Sequence, residues 1–364
     1  KKIIILRDQK IKLEYLNNEL FIKGKGKIKL ENNFDEIKYS MSKKGDRFNI
    51  ISNINFDQLI LKKNKNLKII FPKINDQIIL KDQKINLEYN NKNLLISGNG
   101  KIKLDKKLES INYIISKKNK IFNFDLNLDL TGTKFQLTPL NYQINEKSKA
   151  LLKINANYQD GKEIIINNFS ILEENNVIKI SNLILDESNL IIQVDEVNFD
   201  YFDIENKQNK LIIKKLDKFN YELNGLYFNA NTLITQFFNE ADKIKNEIFK
   251  NNISLNLNIE EVFIDKINFI KNLEGNLFIK NNKINSANFS ANFKDKGDIV
   301  FSIATNDIGN KITKLSSSWA KPFVNRYKFI KGFDEGNLEF VSYKKDGISS
   351  SKLIIDNFKV KEIP

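Results

Sequence analysis

Apolar and polar residues alternate along most of this chain with a period of two, the spacing that sends successive side chains to opposite faces of a β-strand. Ile11, Leu13 and Tyr15 share one face, and Leu20, Ile22, Gly24, Gly26, Ile28 and Leu30 share one in the next run, with Phe21 and the lysines opposite. Phe122, Phe124, Leu126, Leu128 and Leu130 alternate with Asn123, Asp125, Asn127 and Asp129. Far down the chain Ile253, Leu255, Leu257 and Ile259 repeat the pattern. Such alternation predicts antiparallel strands with one apolar and one wet face. Asn17-Asn18, Lys44-Gly45-Asp46, Asn90-Asn91, Asp160-Gly161 and Asn281-Asn282 separate the runs and suit short hairpins. The expectation is an all-β chain with one or two short helices: an elongated, curled antiparallel β-meander that forms a groove or taco-like trough.

The pattern is also duplicated. Residues 4–50 recur at 78–124, so that Leu6-Arg7-Asp8-Gln9-Lys10-Ile11 returns as Leu80-Lys81-Asp82-Gln83-Lys84-Ile85, and more than half the positions from Ile4 to Asn49 are identical to those displaced by 74. The displacement carries the apolar face onto Ile85, Leu87, Leu94, Ile96, Ile102 and Leu104. It also carries Gly24 and Gly26 onto Gly98 and Gly100. Glycines inside a strand leave gaps that mark a bulge, a bend or the close approach of another group, and these four are expected where the sheet bends. With only 4 Pro and 14 Gly and no linker-like run, one continuous body is expected, with repeated β units over 1–225 and a distinct region over 226–364.

Two helices interrupt the strands. Asn231 or Thr232 suits an N-cap, after which Leu233, Phe237, Ala241, Ile244 and Ile248 fall on one face, predicting a helix near 232–249. A shorter helix is expected near Trp319–Tyr327, with Pro322 in its first turn.

Composition narrows the function. The chain is 41% hydrophobic and 29% charged, enough apolar surface to fold. It has no His and no Cys, which removes the usual general base, the usual zinc ligands and any Ser-His or Cys-His pair. The net charge of +14 raises nucleic acid as a partner. Yet lysines such as Lys23, Lys25, Lys27 and Lys29 alternate with other residues, as on a wet strand face. Arginine, the residue suited to bidentate phosphate contact, occurs only as Arg7, Arg47 and Arg326. No nucleic-acid partner is expected. Gly24-Lys25-Gly26 lies in a strand pattern without the context of a nucleotide loop, and the adjacent carboxylates Glu173-Glu174 and Glu260-Glu261 would point to opposite strand faces. Neither an enzyme nor a cofactor is implied.

No run approaches the ~18 apolar residues of a membrane span, and Lys1-Lys2-Ile3-Ile4-Ile5-Leu6-Arg7 is too short for a signal peptide. With Lys as its first residue, the chain reads as a fragment of a longer one whose targeting segment lies upstream. The apolar face fits both a sandwich-like, self-packed core and an open trough for an acyl chain, since the alternation is the same in both.

The C-terminal third adds a resemblance. One stretch is Leu226-Tyr227-Phe228-Asn229-Ala230-Asn231-Thr232-Leu233-Ile234, leading through a helix to Ile253–Glu260 and then Leu273-Glu274-Gly275-Asn276-Leu277. Another is Phe329-Ile330-Lys331-Gly332-Phe333-Asp334-Glu335-Gly336-Asn337-Leu338-Glu339-Phe340, followed by Ser351-Lys352-Leu353-Ile354-Ile355-Asp356-Asn357-Phe358-Lys359-Val360 and a closing Ile363-Pro364. Together they resemble the AsmA-like superfamily of envelope proteins, specifically its YhdP-type group. Glu335-Gly336 stands where a glycine pair is usual there, Ser351 where a glycine is, and Ile363 where alanine is common.

The resemblance implies an inner-membrane-anchored protein whose periplasmic body carries phospholipid acyl chains along an apolar β groove between two membranes, without a cofactor. Membrane attachment would come through segments outside this chain. The lining would be the alternating apolar residues named above, with Gly24, Gly26, Gly98 and Gly100 at the bends. The competing expectation is a structural or adhesive β-repeat scaffold whose apolar face packs on itself.

Overall fold

The computed structural model describes residues 4–30, 33–62, 71–145, 147–159, 161–238, 248–327, 330–345 and 348–361. Asp160, Ala241, Ile244, Phe329 and Glu362-Ile363-Pro364 lie outside them. Two compact units are present, Lys1–Thr138 with Tyr142–Glu187, and Pro139–Asn141 with Ser188–Pro364.

The first unit holds β1 (Ile5–Leu16), β2 (Glu19–Lys29), β3 (Asp35–Lys44), β4 (Arg47–Lys62), β5 (Gln77–Asn90), β6 (Asn93–Lys103), β7 (Leu108–Lys118), β8 (Ile121–Asp129), β9 (Gln136–Leu137), β10 (Tyr142–Gln143), β11 (Ala150–Gln159), β12 (Ile164–Glu173) and β13 (Asn176–Leu185). Neighbours from β1 to β8 pair antiparallel. β8 then pairs with β11, and β12 and β13 follow, while β9 and β10 form a separate small hairpin. Among the expected turns, Asn17-Asn18 and Asn281-Asn282 are two-residue loops with both residues left-handed, at φ 49° and 60° and at 50° and 57°; the turn expected at Asn90-Asn91 falls one residue later, on Asn91 and Lys92 at 43° and 83°. This is the turn whose twist matches that of a hairpin, and asparagine tolerates it.

The two copies of the repeat fold alike. β1 bulges against β2 between Arg7 and Lys10, and β5 bulges against β6 between Lys81 and Lys84. The first residue of each bulge is left-handed, Asp8 at φ 53° and Asp82 at 51°. The glutamine that follows then closes the gap. Gln9 donates through Nε2 to the Arg7 carbonyl at 2.8 Å and the Lys27 carbonyl at 3.0 Å. Gln83 donates likewise to Lys81 at 3.0 Å and Lys101 at 2.9 Å.

Gly26 and Gly100 stand opposite these bulges. Register runs unbroken through the pairings of β2 with β3 and β6 with β7, so the irregularity lies in β1 and β5. What the glycines supply is room. A Cβ at Gly26 or Gly100 would collide with the Gln9 or Gln83 amide, and one at Gly24 or Gly98 with the Tyr39 or Tyr113 ring.

The second unit holds β14 (Ile191–Gln193), β15 (Glu196–Phe202), β16 (Gln208–Lys215), β17 (Asn220–Asn229), α1 (Asn231–Phe238), β18 (Ile253–Phe263), β19 (Phe269–Lys280), β20 (Lys283–Asn292), β21 (Asp298–Thr305), β22 (Lys311–Ser317), α2 (Lys321–Tyr327), β23 (Phe333–Lys345) and β24 (Ile348–Val360). β15 to β17 and β18 to β24 run antiparallel, neighbour to neighbour. The expected all-antiparallel meander fails at one seam, because β17 and β18 pair in parallel, Leu223 opposite Leu257. Parallel neighbours require a long crossover, which usually contains a helix, and α1 lies in this one. The 225/226 division drawn on motifs falls inside β17, within the second unit.

Prediction: Gln83 is fully buried, so Gln83→Leu strands two carbonyls and should lower stability by about 1–3 kcal/mol. Gln9→Leu opens the same bulge where water can replace the amide, and should cost less than half as much. Chemical denaturation of the two variants measures the difference.

Candidate functional site

Register decides where the alternating residues point. Leu13, Ile22, Met41, Ile50, Tyr89 and Leu94 form one cross-strand row. Two residues along each strand the next row is Ile11, Gly24, Tyr39, Ser52, Leu87 and Ile96, and it continues through Ile115 and Phe124. A third row contains Ile37, Ile54, Ile85, Gly98, Tyr113 and Leu126. Every strand residue expected to line a groove in this unit lies on this one face: Ile11, Leu13, Tyr15, Leu20, Ile22, Ile28, Ile85, Leu87, Leu94, Ile96, Ile102, Phe122, Phe124, Leu126 and Leu128. Leu30 and Leu104 follow the ends of β2 and β6. Leu30 packs on Ile28, Ile37, Ile54 and Phe56, and Leu104 is buried.

Burial along this face is graded. The row of Ile111, Leu128, Leu152, Ile171 and Ile178 is buried, Ile171 completely. Phe71, Ile74, Leu130, Phe135, Tyr142 and Ile144 are buried too, in the segments that follow β4 and β8. Phe71 and Phe135 meet edge to face at 5.3 Å. Glu173, also buried, accepts from the Tyr142 hydroxyl at 2.8 Å and the Asn145 N–H at 2.7 Å, tying these segments to the end of β12. Toward the opposite strand ends the face opens. Leu20, Ile22, Leu94, Ile96, Phe122 and Phe124 are half-buried, and on β1 Leu13 is 64% and Tyr15 69% exposed.

In the second unit the same kind of face encloses a cavity of about 560 Å³. Its walls include Leu273 and Leu277 of β19, Phe289 and Ala291 of β20, Ile299 and Phe301 of β21, Leu315 of β22, Leu338 and Phe340 of β23, and Leu353 of β24. Leu233 and Ile234 of α1 and Pro322 and Phe323 of α2 complete it. Phe289 and Phe301 are cross-strand partners whose rings stack at 6.0 Å. Asp265, Ser290, Arg326 and Tyr327 are the polar members of an otherwise apolar lining.

The β18 residues expected in the lining sit on this face but beside the cavity. Leu255 stands opposite Leu277 and Ile259 opposite Leu273. Ile253, Leu255 and Leu257 are half-buried, and Ile259 joins the packed cluster with Leu211, Val262 and Ile270. The larger share of the wall, from β19 to β24, shows the same period of two. In β20 the polar positions of this pattern are serine and asparagine, as in Ser286-Ala287-Asn288-Phe289-Ser290-Ala291.

Both helices are pinned over the cavity by polar contacts. The cap of α1 differs from the expectation: Asn229 Oδ1 accepts from the Asn231 N–H at 3.1 Å, and Ile234 N–H reaches the Ala230 carbonyl at 2.8 Å, so capping precedes Asn231. The Asn229 amide donates to Asp203 at 2.6 Å and Glu205 at 2.8 Å, and Asn231 donates to Glu205 at 3.2 Å. The Arg326 guanidinium of α2 donates to the carbonyls of Ile264 at 2.5 Å and Asn231 at 3.1 Å, and to Thr235 Oγ1 at 2.5 Å. One side chain thereby ties α2 to α1 and to the end of β18, a task that suits its rigid fork. At the other end of α2 the Lys321 ammonium donates to Asp334 at 2.8 Å, and Lys361 pairs with the same carboxylate. Those two hydrogen-bonded ammonium groups hold the Asp334 carboxyl well below the usual range. α2 itself forms as expected, with Pro322 buried in its first turn.

In the first unit, burial and then the Asp129 carboxylate push the Glu109 carboxyl up. Among the described residues no group of three or more His, Cys, Asp or Glu side chains could hold a metal ion, and no helix is long and apolar enough to cross a membrane. A comparison with protein families, with curated proteins and with solved structures gives no match.

Two predictions follow from the clasped helices. Arg326→Lys keeps the charge but loses the fork, and should cost about 1.5–3 kcal/mol with faster amide exchange in α1, read by hydrogen-exchange mass spectrometry. Because the Asp334 carboxyl is depressed on folding, its contribution is present above the unfolded aspartate value of about 3.9 and is lost as pH falls below it. Asp334→Asn should therefore be less stable than wild type at neutral pH, with the gap narrowing in acid.

Proposed function

We propose that this chain is a non-enzymatic lipid-binding protein that takes phospholipid acyl chains on its apolar β face. The observation that carries the reading is the cavity of about 560 Å³ in the second unit, apolar on nearly every side and held under two pinned helices. The half-exposed apolar rows of the first unit support it, since apolar side chains left in contact with water in such number mark a surface that receives something. Each methylene moved from water onto such a face contributes about 0.8 kcal/mol, so a two-chain lipid can be held without any specific polar contact.

The resemblance to the AsmA-like superfamily, YhdP-type, extends the proposal. The protein would be a bridge between inner and outer membranes that serves outer-membrane biogenesis, with a periplasmic body anchored through segments outside this chain. The alternative, a β-repeat scaffold packed on itself, draws support from the buried end of the first unit, where Leu130, Phe135, Ile144 and Ile171 exclude water.

Native mass spectrometry of protein purified without detergent should find phospholipid bound. Leu353→Asp, a charge placed on the half-exposed wall of the cavity, should reduce the bound lipid severalfold while leaving the fold intact by circular dichroism. Protein that stays lipid-free under conditions where a known lipid carrier retains its cargo would favour the scaffold.

A further inference from the structure

Along β22 and β23, away from the cavity, the groove face changes character in regular steps. Leu315 and Phe340 are cross-strand partners in the cavity wall. Two residues further along the strands Thr313 faces Ser342, and two beyond that Lys311 faces Lys344. Alternation keeps all six on one face, and four residues of strand cover about 13 Å. Apolar, hydroxyl and cationic rows thus follow one another within the length of a small amphiphile. On β21, Thr305 stands opposite Lys311, and its buried Oγ1 has no hydrogen-bond partner.

The facing pair Lys311 and Lys344 differs from the facing lysine pairs of the outer face. Cross-strand lysines such as Lys25 and Lys38 occupy a wet outer face where water screens them. Lys311 is half-buried on the groove face. Burial, with the Lys344 and Lys283 amines near it, holds its amine below the ordinary value. Among the described residues neither Lys311 nor Lys283 forms an ion pair with a carboxylate. Facing like charges destabilise a sheet, and a half-buried cation is costly unless an anion meets it.

We propose that Lys311 and Lys344, with the Thr305 hydroxyl and the Lys283 amine beside them, form an oxyanion site that holds the phosphate of an amphiphile whose apolar chain lies toward Leu315 and Phe340. This rests on the lipid-binding reading and adds to it a head-group contact and a choice among lipids. Phosphate oxygens accept from both ammonium groups and from the hydroxyl. A zwitterionic head group also brings its own cation, which the lysines repel, so net-anionic lipids are preferred.

The test uses the full chain and vesicles of either phosphatidylglycerol or phosphatidylcholine, with protein-bound lipid measured after separation. Wild type should take up the anionic lipid about three- to fivefold better, the range that partly exposed ion pairs supply, and high salt should shrink the difference. The double variant Lys311→Gln, Lys344→Gln should bring anionic uptake down to the zwitterionic level. The double variant Lys25→Gln, Lys38→Gln makes the same change in net charge on the outer face and should keep the preference. Thermal melts establish that both are folded.

Equal uptake of the two lipids by wild type, or equal loss of preference in both double variants, would overturn the site while leaving lipid binding in place. No uptake of either lipid removes the lipid-binding reading beneath it. Inorganic phosphate that stabilises wild type but not the Lys311→Gln, Lys344→Gln variant, without any lipid preference, would assign the site to free phosphate and overturn the head-group assignment.

Discussion

Register is the constraint on which everything else in this protein depends. In an antiparallel ladder each backbone pairing fixes which side chains stand opposite, and a slip of one residue would turn a whole strand over, sending its apolar set into water. Here the pairing preserves phase from strand to strand. Leu13 meets Ile22, Ile22 meets Met41, and the row runs on to Leu94. In the second unit Phe289, Phe301, Leu315 and Phe340 stay in step in the same way. A face that is apolar across many strands is a property of no single strand. Two-residue turns with left-handed asparagines, as at Asn17-Asn18 and Asn281-Asn282, help to hold the phase where the chain reverses most tightly.

A sheet in strict phase also needs places to change its course, and the repeat supplies them as a set of matched parts. The Asp8 and Asp82 bulges add a residue, the glutamines behind them bond the carbonyls left over, and the glycines on the facing strand leave the space that the glutamine amides fill. Tyr39 and Tyr113 cover the other glycine gaps, so the face stays continuous where it has lost side chains. The second copy sits deeper than the first, Gln83 being wholly buried. The same parts thus serve at a solvated edge in one copy and in a packed interior in the other.

Much of the strand architecture was legible in the chain because a period of two is a local signal, and so were the turns and the position of α2. The glycines stood out in the chain, but what they make room for did not, since it sits on a neighbouring strand, at Gln9, Gln83, Tyr39 and Tyr113. The parallel seam was not legible for the same kind of reason. Alternation is identical in parallel and antiparallel strands, and only the crossover through α1 reverses the direction. The cavity wall from β19 to β24 carries the same period of two, but which strands meet around a cavity is set by pairing that no single strand records. The Arg326 clasp, whose partners at Asn231 and Ile264 are far away in sequence, left no local trace at all.

The parallel pairing of β17 with β18 has a consequence for how the second unit is made. Most other neighbouring pairs from β15 to β24 are joined by short connections, the exception being β22 and β23, which are joined across 318–332 through α2, so most strands can be added one at a time. The seam cannot grow that way. The chain must first travel through 230–252, laying down α1, before β18 returns in the same direction as β17. Assembly is thereby divided into two locally built stacks, β15–β17 and β18–β24, that meet across one non-local junction. The contacts of α1 with β18 and α2 lie beside that junction, so the crossover that makes the seam possible is also the one that roofs the cavity.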